Sequence, residues 1–348
     1  MDPSTVFPIE VLQKVFEHCL LDWPSVDHAQ CFIRGPSQSL DLSDGLWVLG
    51  RVNSAWRCAT LSSNTLWSTV RITFSWLPLY QGQFWAIRRP PFSHGSNTAS
   101  KILTEILHRS GSAPLSITLS LPLEIPRKEI FSDSVSSSLF ALLSAQRYRW
   151  QSMELTAPQP IWRDFAQTSP SRLQALRSLR ATVQNENFIS PIISVCASVV
   201  DLTICAFYGD HTALPHIPTR MPFLQHLNIR STHGYVLDAI TAPCLQSLVL
   251  RLRTWGFLNS MSPMFRSRFI DFAQRSRCSN SLTALHFFGS NLNCRELVII
   301  LSSTSSDDAS VPLLLPNLHA LSFDSPDTLW VADVDFIFDM VEFRFLGG

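Results

Sequence analysis

The sequence predicts an α/β fold in which a small N-terminal helical unit precedes a longer region that repeats one strand-bearing pattern to build a curved parallel sheet. Three observations predict it. Before residue 68, apolar side chains recur at three- and four-residue steps, as they do on helices. From about residue 150, a spacing of three and then two residues between large apolar side chains recurs along the chain. Apolar residues make up 46% of the 348, enough to bury a core, against 16% charged. Lys plus Arg and Asp plus Glu each total 27, so no chain-wide field recommends nucleic acid or an acidic membrane as partner.

The first helix follows from Ile9, Leu12, Val15, Phe16, Cys19 and Leu20, with Glu10, Gln13, Lys14, Glu17 and His18 between them. Pro8 suits the first helical position, where a missing N–H costs nothing. A second pattern starts near Leu46, puts Leu49, Val52, Ala55, Trp56 and Ala59 on one side, and ends at Ser62-Ser63-Asn64. Between the two, the 24 residues Asp22 to Gly45 contain Pro24, Gly35, Pro36 and Asp44 and read as a long exposed loop. Leu66 and Trp67 close the unit. Periodicity alone supports no more here than an ordinary helical start to a globular domain.

The ordered strings Phe7-Pro8-Ile9-Glu10-Val11-Leu12, Val15-Phe16, Leu49-Gly50-Arg51-Val52, Ala55-Trp56-Arg57 and Leu66-Trp67 resemble the F-box, most of all the F-box-like form of fungal, basidiomycete-type proteins. Phe7 stands where Leu is common, and Asn53 where Cys is frequent. The resemblance implies a helical unit that docks on the Skp-family adaptor of a cullin-RING ubiquitin ligase, while the rest of the chain captures a protein substrate. It implies adaptor contacts at Pro8, Leu12 and Trp56, with Ile9, Val15, Phe16 and Val52 as further apolar knobs. Burying one such side chain is worth about 1.5–3 kcal/mol, so three or four anchors suffice.

After Trp67 the composition shifts. Thr73 to Thr98 holds Trp76, Phe84 and Trp85 with Pro78, Pro90 and Pro91 and reads as a connector with buried aromatics. Ser100 to Ser110 reads as a helix with Ile102, Leu103, Ile106 and Leu107 on one face and Gly111 as its stop. Leu115, Ile117, Leu119 and Leu121 then alternate as in a strand.

The clearest copies of the recurring pattern are Leu224 to Ile229, Leu245 to Leu250, Leu282 to Phe287 and Leu318 to Phe323. Weaker copies are Trp150 to Leu155, Leu176 to Ala181 and Val199 to Ile204. Their middle apolar residues, at 153, 179, 202, 227, 248, 285 and 321, lie 26, 23, 25, 21, 37 and 36 apart, and the spacing resembles that of leucine-rich repeats with two insertions. One insertion carries a predicted helix from Met261 to Arg277. Where such repeats usually hold Asn or Cys, this chain has Gln184, Phe207, Thr232, Arg253, Ser290 and Pro326, so the repeats are degenerate.

Each copy supplies one short strand whose alternate side chains enter the core, leaving the others on a shared concave face. That face gathers Arg180, His226, Asn228, Arg230 and Arg251 as candidate substrate-binding residues, with Arg180, Arg230 and Arg251 aligned in one column. Their charge suggests an acidic or phosphorylated partner. The predicted organisation is a helical unit over residues 1–70 with a loop insertion at 22–45, a connector with one helix over 71–114, and the degenerate repeats over 115–348. The last repeat is expected to be cut short, since Asp333 to Phe345 starts another pattern and Gly347-Gly348 ends it.

Motifs of the serine-hydrolase elbow, zinc protease, dinucleotide-binding turn and P-loop do not occur, and twelve glycines are few for a phosphate-cradling enzyme. Tyr208-Gly209-Asp210-His211 with His216 reads as a surface turn, and Cys196 and Cys205 as small strand or core residues. Eight cysteines without a CxxC pair fit neither a zinc module nor a disulfide scaffold. The chain is therefore expected to be a non-enzymatic receptor without metal or cofactor, located in the cytoplasm or nucleus, that binds no nucleic acid and no membrane. The alternative expectation is a repeat scaffold with no ubiquitin-ligase role.

Overall fold

A computed structural model describes residues 7–21, 39–42, 45–73, 76–77, 86–87, 96–121, 133–185, 188–208, 217–231, 235–252, 263–288 and 317–324. These form an α/β fold whose main strands run parallel. The chain divides into two compact units, Met1–Ile161 and Trp162–Gly348.

The first unit begins with three helices, α1 (Ile9–Leu21), α2 (Gly45–Val52) and α3 (Ser54–Ser62). The sequence suggests one helical pattern from Leu46 to Ser62, and the structure corrects this to two helices broken at Asn53. Asn53 is extended, with φ −159° and ψ −178°, and its side-chain oxygen accepts from the Trp56 N–H at 2.9 Å, which caps α3 and starts a new axis. No residue of α2 is buried, whereas α3 buries Ala59 and Thr60.

A short turn at Leu66–Ser68 leads into β1 (Thr69–Thr73), followed by an antiparallel pair of short strands, β2 (Trp76–Leu77) and β3 (Ala86–Ile87). Then come α4 (Ser96–Arg109), β4 (Leu115–Ser120), α5 (Asp133–Ser144) and β5 (Trp150–Thr156), with α6 (Gln159–Ala166) at the boundary. Leu103, Ile106 and Leu107 of α4 are buried, and Gly111 follows the helix with φ +53°, the left-handed conformation of a C-terminal stop. Strands β1, β4 and β5 pair in parallel, placing Val70, Ile117 and Met153 in register. Trp67, Val70 and Ile72 have the same three-then-two spacing as the later copies and are all buried, so the pattern starts about eighty residues before its first copy in the sequence reading.

The second unit contains β6 (Ser178–Asn185), α7 (Ile189–Val195), β7 (Asp201–Tyr208), β8 (Thr219–Arg220), β9 (His226–Ser231), β10 (Ile240–Thr241), β11 (Ser247–Leu252), α8 (Pro263–Ser276), β12 (Ala284–Phe288) and β13 (Ala320–Asp324). Strands β6, β7, β9, β11, β12 and β13 pair in parallel in that order, while β8 and β10 form a small separate pair. Leu179, Leu202, Leu227, Leu248, Leu285 and Leu321 stand in one register across the six strands.

The starts of these strands are joined by one repeated main-chain arrangement. The N–H groups of Val200 and Asp201 both donate to the Arg177 carbonyl, and those of Gln225 and His226 to Val200. Gln246 and Ser247 donate to Gln225, Thr283 and Ala284 to Gln246, and His319 and Ala320 to Thr283, all at 2.8–3.1 Å. Because only backbone is involved, the arrangement recurs without any fixed polar side chain. One side of the sheet is apolar and covered, as where Phe269 of α8 meets Phe287 of β12 with ring centroids 6.4 Å apart. The other carries the alternate, less buried residues.

The segments holding Gly209 to His216, most of the 22–45 loop, Phe84 and Trp85, and the final residues from Asp333 to Gly348 lie outside the described residues. Among the described residues no helix is long and apolar enough to cross a membrane.

Candidate functional site

Two surfaces, one in each unit, carry the side chains that the sequence marks as functional. The first is the three-helix start. In α1 the positions Leu12 and Phe16, one turn apart, face inward at 5% and 1% exposure. Phe16 meets Trp56 of α3 edge-on, with centroids 5.0 Å apart, and Gln13 Nε2 donates to the Ala59 carbonyl at 3.1 Å and to Ser62 Oγ at 3.0 Å. Leu12 and Phe16 therefore belong to the unit's own core, which corrects their assignment as contacts for another protein. Helical hairpins this small need an apolar seam of their own before they can offer anything to a partner.

The other adaptor candidates are placed differently. Pro8 is exposed, Ile9 is 39%, Val15 48% and Val52 54% exposed, and Trp56 is half-buried against Phe16. Phe7, Val11, Val48 and Leu61, which the resemblance does not single out as adaptor contacts, are exposed as well. Their signal was present: Val11 with Val15, and Val48 with Val52, are four residues apart on their helices, a second apolar stripe beside the inward one. Of the eleven large hydrophobic side chains exposed among the described residues, the helical start carries eight.

The unit is held to β1 and α4 by polar and aromatic contacts. Trp67 Nε1 donates to the Thr60 carbonyl at 2.7 Å, Trp47 Nε1 donates to the Ser39 carbonyl at 3.0 Å, and Ser39 N–H donates to Arg71 O on β1 at 2.9 Å. The Arg109 guanidinium lies over both Trp67 and Trp47, at 4.6 and 5.0 Å from the ring centroids. This cation–π pairing fixes two indoles with one charge.

The second surface is the open side of the six-strand sheet. Arg180, His226 and Arg251 are exposed there, and Asn228 and Arg230 half-buried. Pairing registers sort them into rows. Thr182, Cys205, Arg230, Arg251, Phe288 and Asp324 share one row, whereas Arg180 lies in the row of Thr203, Asn228, Val249, His286 and Ser322. The single column of three arginines is corrected to two in register and one diagonal. Arg180 follows its middle apolar residue by one position, while Arg230 and Arg251 follow theirs by three. In a further row, His226 Nε2 is 3.8 Å from Asp201 Oδ1.

The field on this face converges at Cys205. Burial pushes its thiol up, while Arg230, Arg180 and Arg251 pull it the other way, with a Thr182 hydrogen bond between the arginine contributions. The Arg251 guanidinium sits over the Phe288 ring at 4.4 Å, and the Asn228 Oδ1 atom is enclosed without a hydrogen-bond partner among the described residues.

Cysteine chemistry follows burial. Cys196 is fully enclosed and its thiol is pushed far up; burial raises Cys278 to about 11. Only the thiolate attacks an alkylating agent. A raised pKa keeps the thiolate fraction small at pH near 8, so iodoacetamide is expected to label Cys19, Cys58 and Cys244, which are exposed, and to spare Cys196 and Cys278. Peptide mass spectrometry of the native protein checks this, and labelling of Cys196 as fast as Cys19 contradicts it. Comparison with protein-family models and with curated proteins gives no match for this chain.

Proposed function

We propose that the chain is an F-box-like substrate receptor, whose N-terminal helices dock on a Skp-family adaptor of a cullin-RING ubiquitin ligase and whose degenerate leucine-rich repeats hold a protein substrate on the open sheet face. The observation that carries this reading is the concentration of exposed apolar side chains on the small helical start. Pro8, Ile9, Val15 and Val52, each implied as an adaptor contact, are among its exposed residues. A monomer rarely leaves such groups together unless another protein covers them. The repeat reading is supported by the shared register of six leucines and the recurring carbonyl at each strand start. The chain itself performs no bond chemistry on this reading; it raises the target's effective concentration at the ligase, whose other subunits transfer ubiquitin.

The test uses purified Skp-family adaptor and the full chain. Val15→Asp with Val52→Asp is expected to lower capture by about a hundredfold, because two anchors worth about 1.5 kcal/mol or more each are lost and charge is introduced. Both positions are solvent-exposed, so the melting temperature stays unchanged. Capture that survives the double change overturns the docking face. A second reading is favoured by the burial of Leu12 and Phe16, which an inert helical cap on a repeat scaffold also requires. A folded wild-type chain that binds no adaptor supports that scaffold instead.

A further inference from the structure

The open sheet face presents two guanidiniums in register on neighbouring strands. Arg230 on β9 and Arg251 on β11 are directly paired, and neighbouring strands lie only about 4.8 Å apart. Like charges directly opposite each other destabilise a sheet. Arg180, on β6 two strands from Arg230's β9 and diagonal to Cys205, adds a third charge whose field reaches the same thiol. On this face Asp201 lies four residues down β7 from Cys205, beside His226 rather than in the row of the two arginines.

The site is also pre-organised. Arg251 is held over Phe288, which fixes its planar fork, and the stems of Arg230 and Arg251 rise from a rigid parallel sheet rather than a loop. Two adjacent forks offer several N–H donors to one centre, which suits a tetrahedral dianion with three free oxygens better than a single planar carboxylate.

From this arrangement we infer that Arg230 and Arg251, with Arg180 alongside, bind a phosphoryl group on an extended segment of a partner protein. The inference deepens the proposed function and rests on its assignment of the open face to substrate. It does not depend on the adaptor, so the two fail separately. The oxygens of the phosphoryl group accept from the two guanidiniums over Cys205, and the segment runs across the strands along the row from Thr182 to Phe288.

The probe is a short fluorescein-labelled Gly/Ala peptide with one central phosphoserine, read by anisotropy against the full chain at low salt. Its serine and glutamate twins and a single-stranded oligonucleotide serve as comparisons. The phosphopeptide is expected to bind about tenfold or more tighter than either twin. Arg230→Gln with Arg251→Gln is expected to erase that preference while thermal melting and adaptor capture stay unchanged, and Arg230→Lys with Arg251→Lys to keep part of it. Equal binding of a twin, no measurable binding at millimolar phosphopeptide, or a preference that survives the Gln variant overturns the inference. Tighter binding of the oligonucleotide than of the phosphopeptide overturns it too, since it reassigns the face to nucleic acid.

Discussion

Phe16→Ala is expected to unfold the three-helix start while the second unit stays folded. Phe16 is 1% exposed, sits one turn from buried Leu12, and meets Trp56 across the α1–α3 seam. Truncating a core phenylalanine costs about 3–5 kcal/mol through lost transfer energy and the cavity left behind. That is a large share of a small domain's stability, about 5–15 kcal/mol. Val15→Ala, on the exposed stripe of the same helix, is expected to change stability by less than about 0.5 kcal/mol. Limited proteolysis distinguishes the outcomes: cleavage within residues 9–62 accelerates in Phe16→Ala alone, and fragments of the second unit persist. Equal protease resistance of the two variants would show that Phe16 is not a core residue.

Arg149→Ala is expected to destabilise the first unit by about 3–5 kcal/mol, the range for removing one partner of a buried charged network. Arg149 is buried, and among the described residues its hydrogen-bond acceptors include no carboxylate. Its Nη2 donates to Ser110 Oγ at 2.8 Å, to the Ser110 carbonyl at 3.2 Å and to the Ala113 carbonyl at 2.7 Å. Nε also donates to Ala113 O at 3.0 Å, and Nη1 to Gln146 Oε1 at 3.2 Å. The cation thus satisfies carbonyls just past the C-terminal end of α4, where the helix dipole favours positive charge. It also ties the α4–β4 turn to the start of β5. Burial lowers the guanidinium's pKa. Lysine keeps the charge but not the planar fork, so Arg149→Lys is expected to recover less than half the loss. Denaturant unfolding measures both variants, and an Ala variant within about 1 kcal/mol of the wild type removes Arg149 from this role.

Nothing in the sequence marks Arg149 for that role. Its partners are main-chain oxygens at Ser110 and Ala113, nearly forty positions away, and carbonyls have no sequence signature. Asn53 is different, because an Asn before Ser-Ala-Trp is a readable N-cap, and the helix break was legible once apolar period was weighed against capping. The missed copy at Trp67, Val70 and Ile72 was legible too, since its spacing matches the later ones. The two rows of arginines followed from counting positions after the middle leucine, without any coordinates. On α1, by contrast, residues 9, 11, 12, 15 and 16 are all apolar, and periodicity cannot rank two stripes on one cylinder.

By itself the sequence determined the helical start, the parallel strands and the alternation that puts Arg180, His226, Asn228, Arg230 and Arg251 on one sheet face, because periods of 3.6 and 2 are properties of a local chain. Only the tertiary structure decided that Leu12 and Phe16 face inward while Val15 and Val52 stay in solvent, and that Arg230 pairs with Arg251. Burial and register belong to neighbours brought together by packing, and the chain's local pattern holds no record of which neighbour arrives.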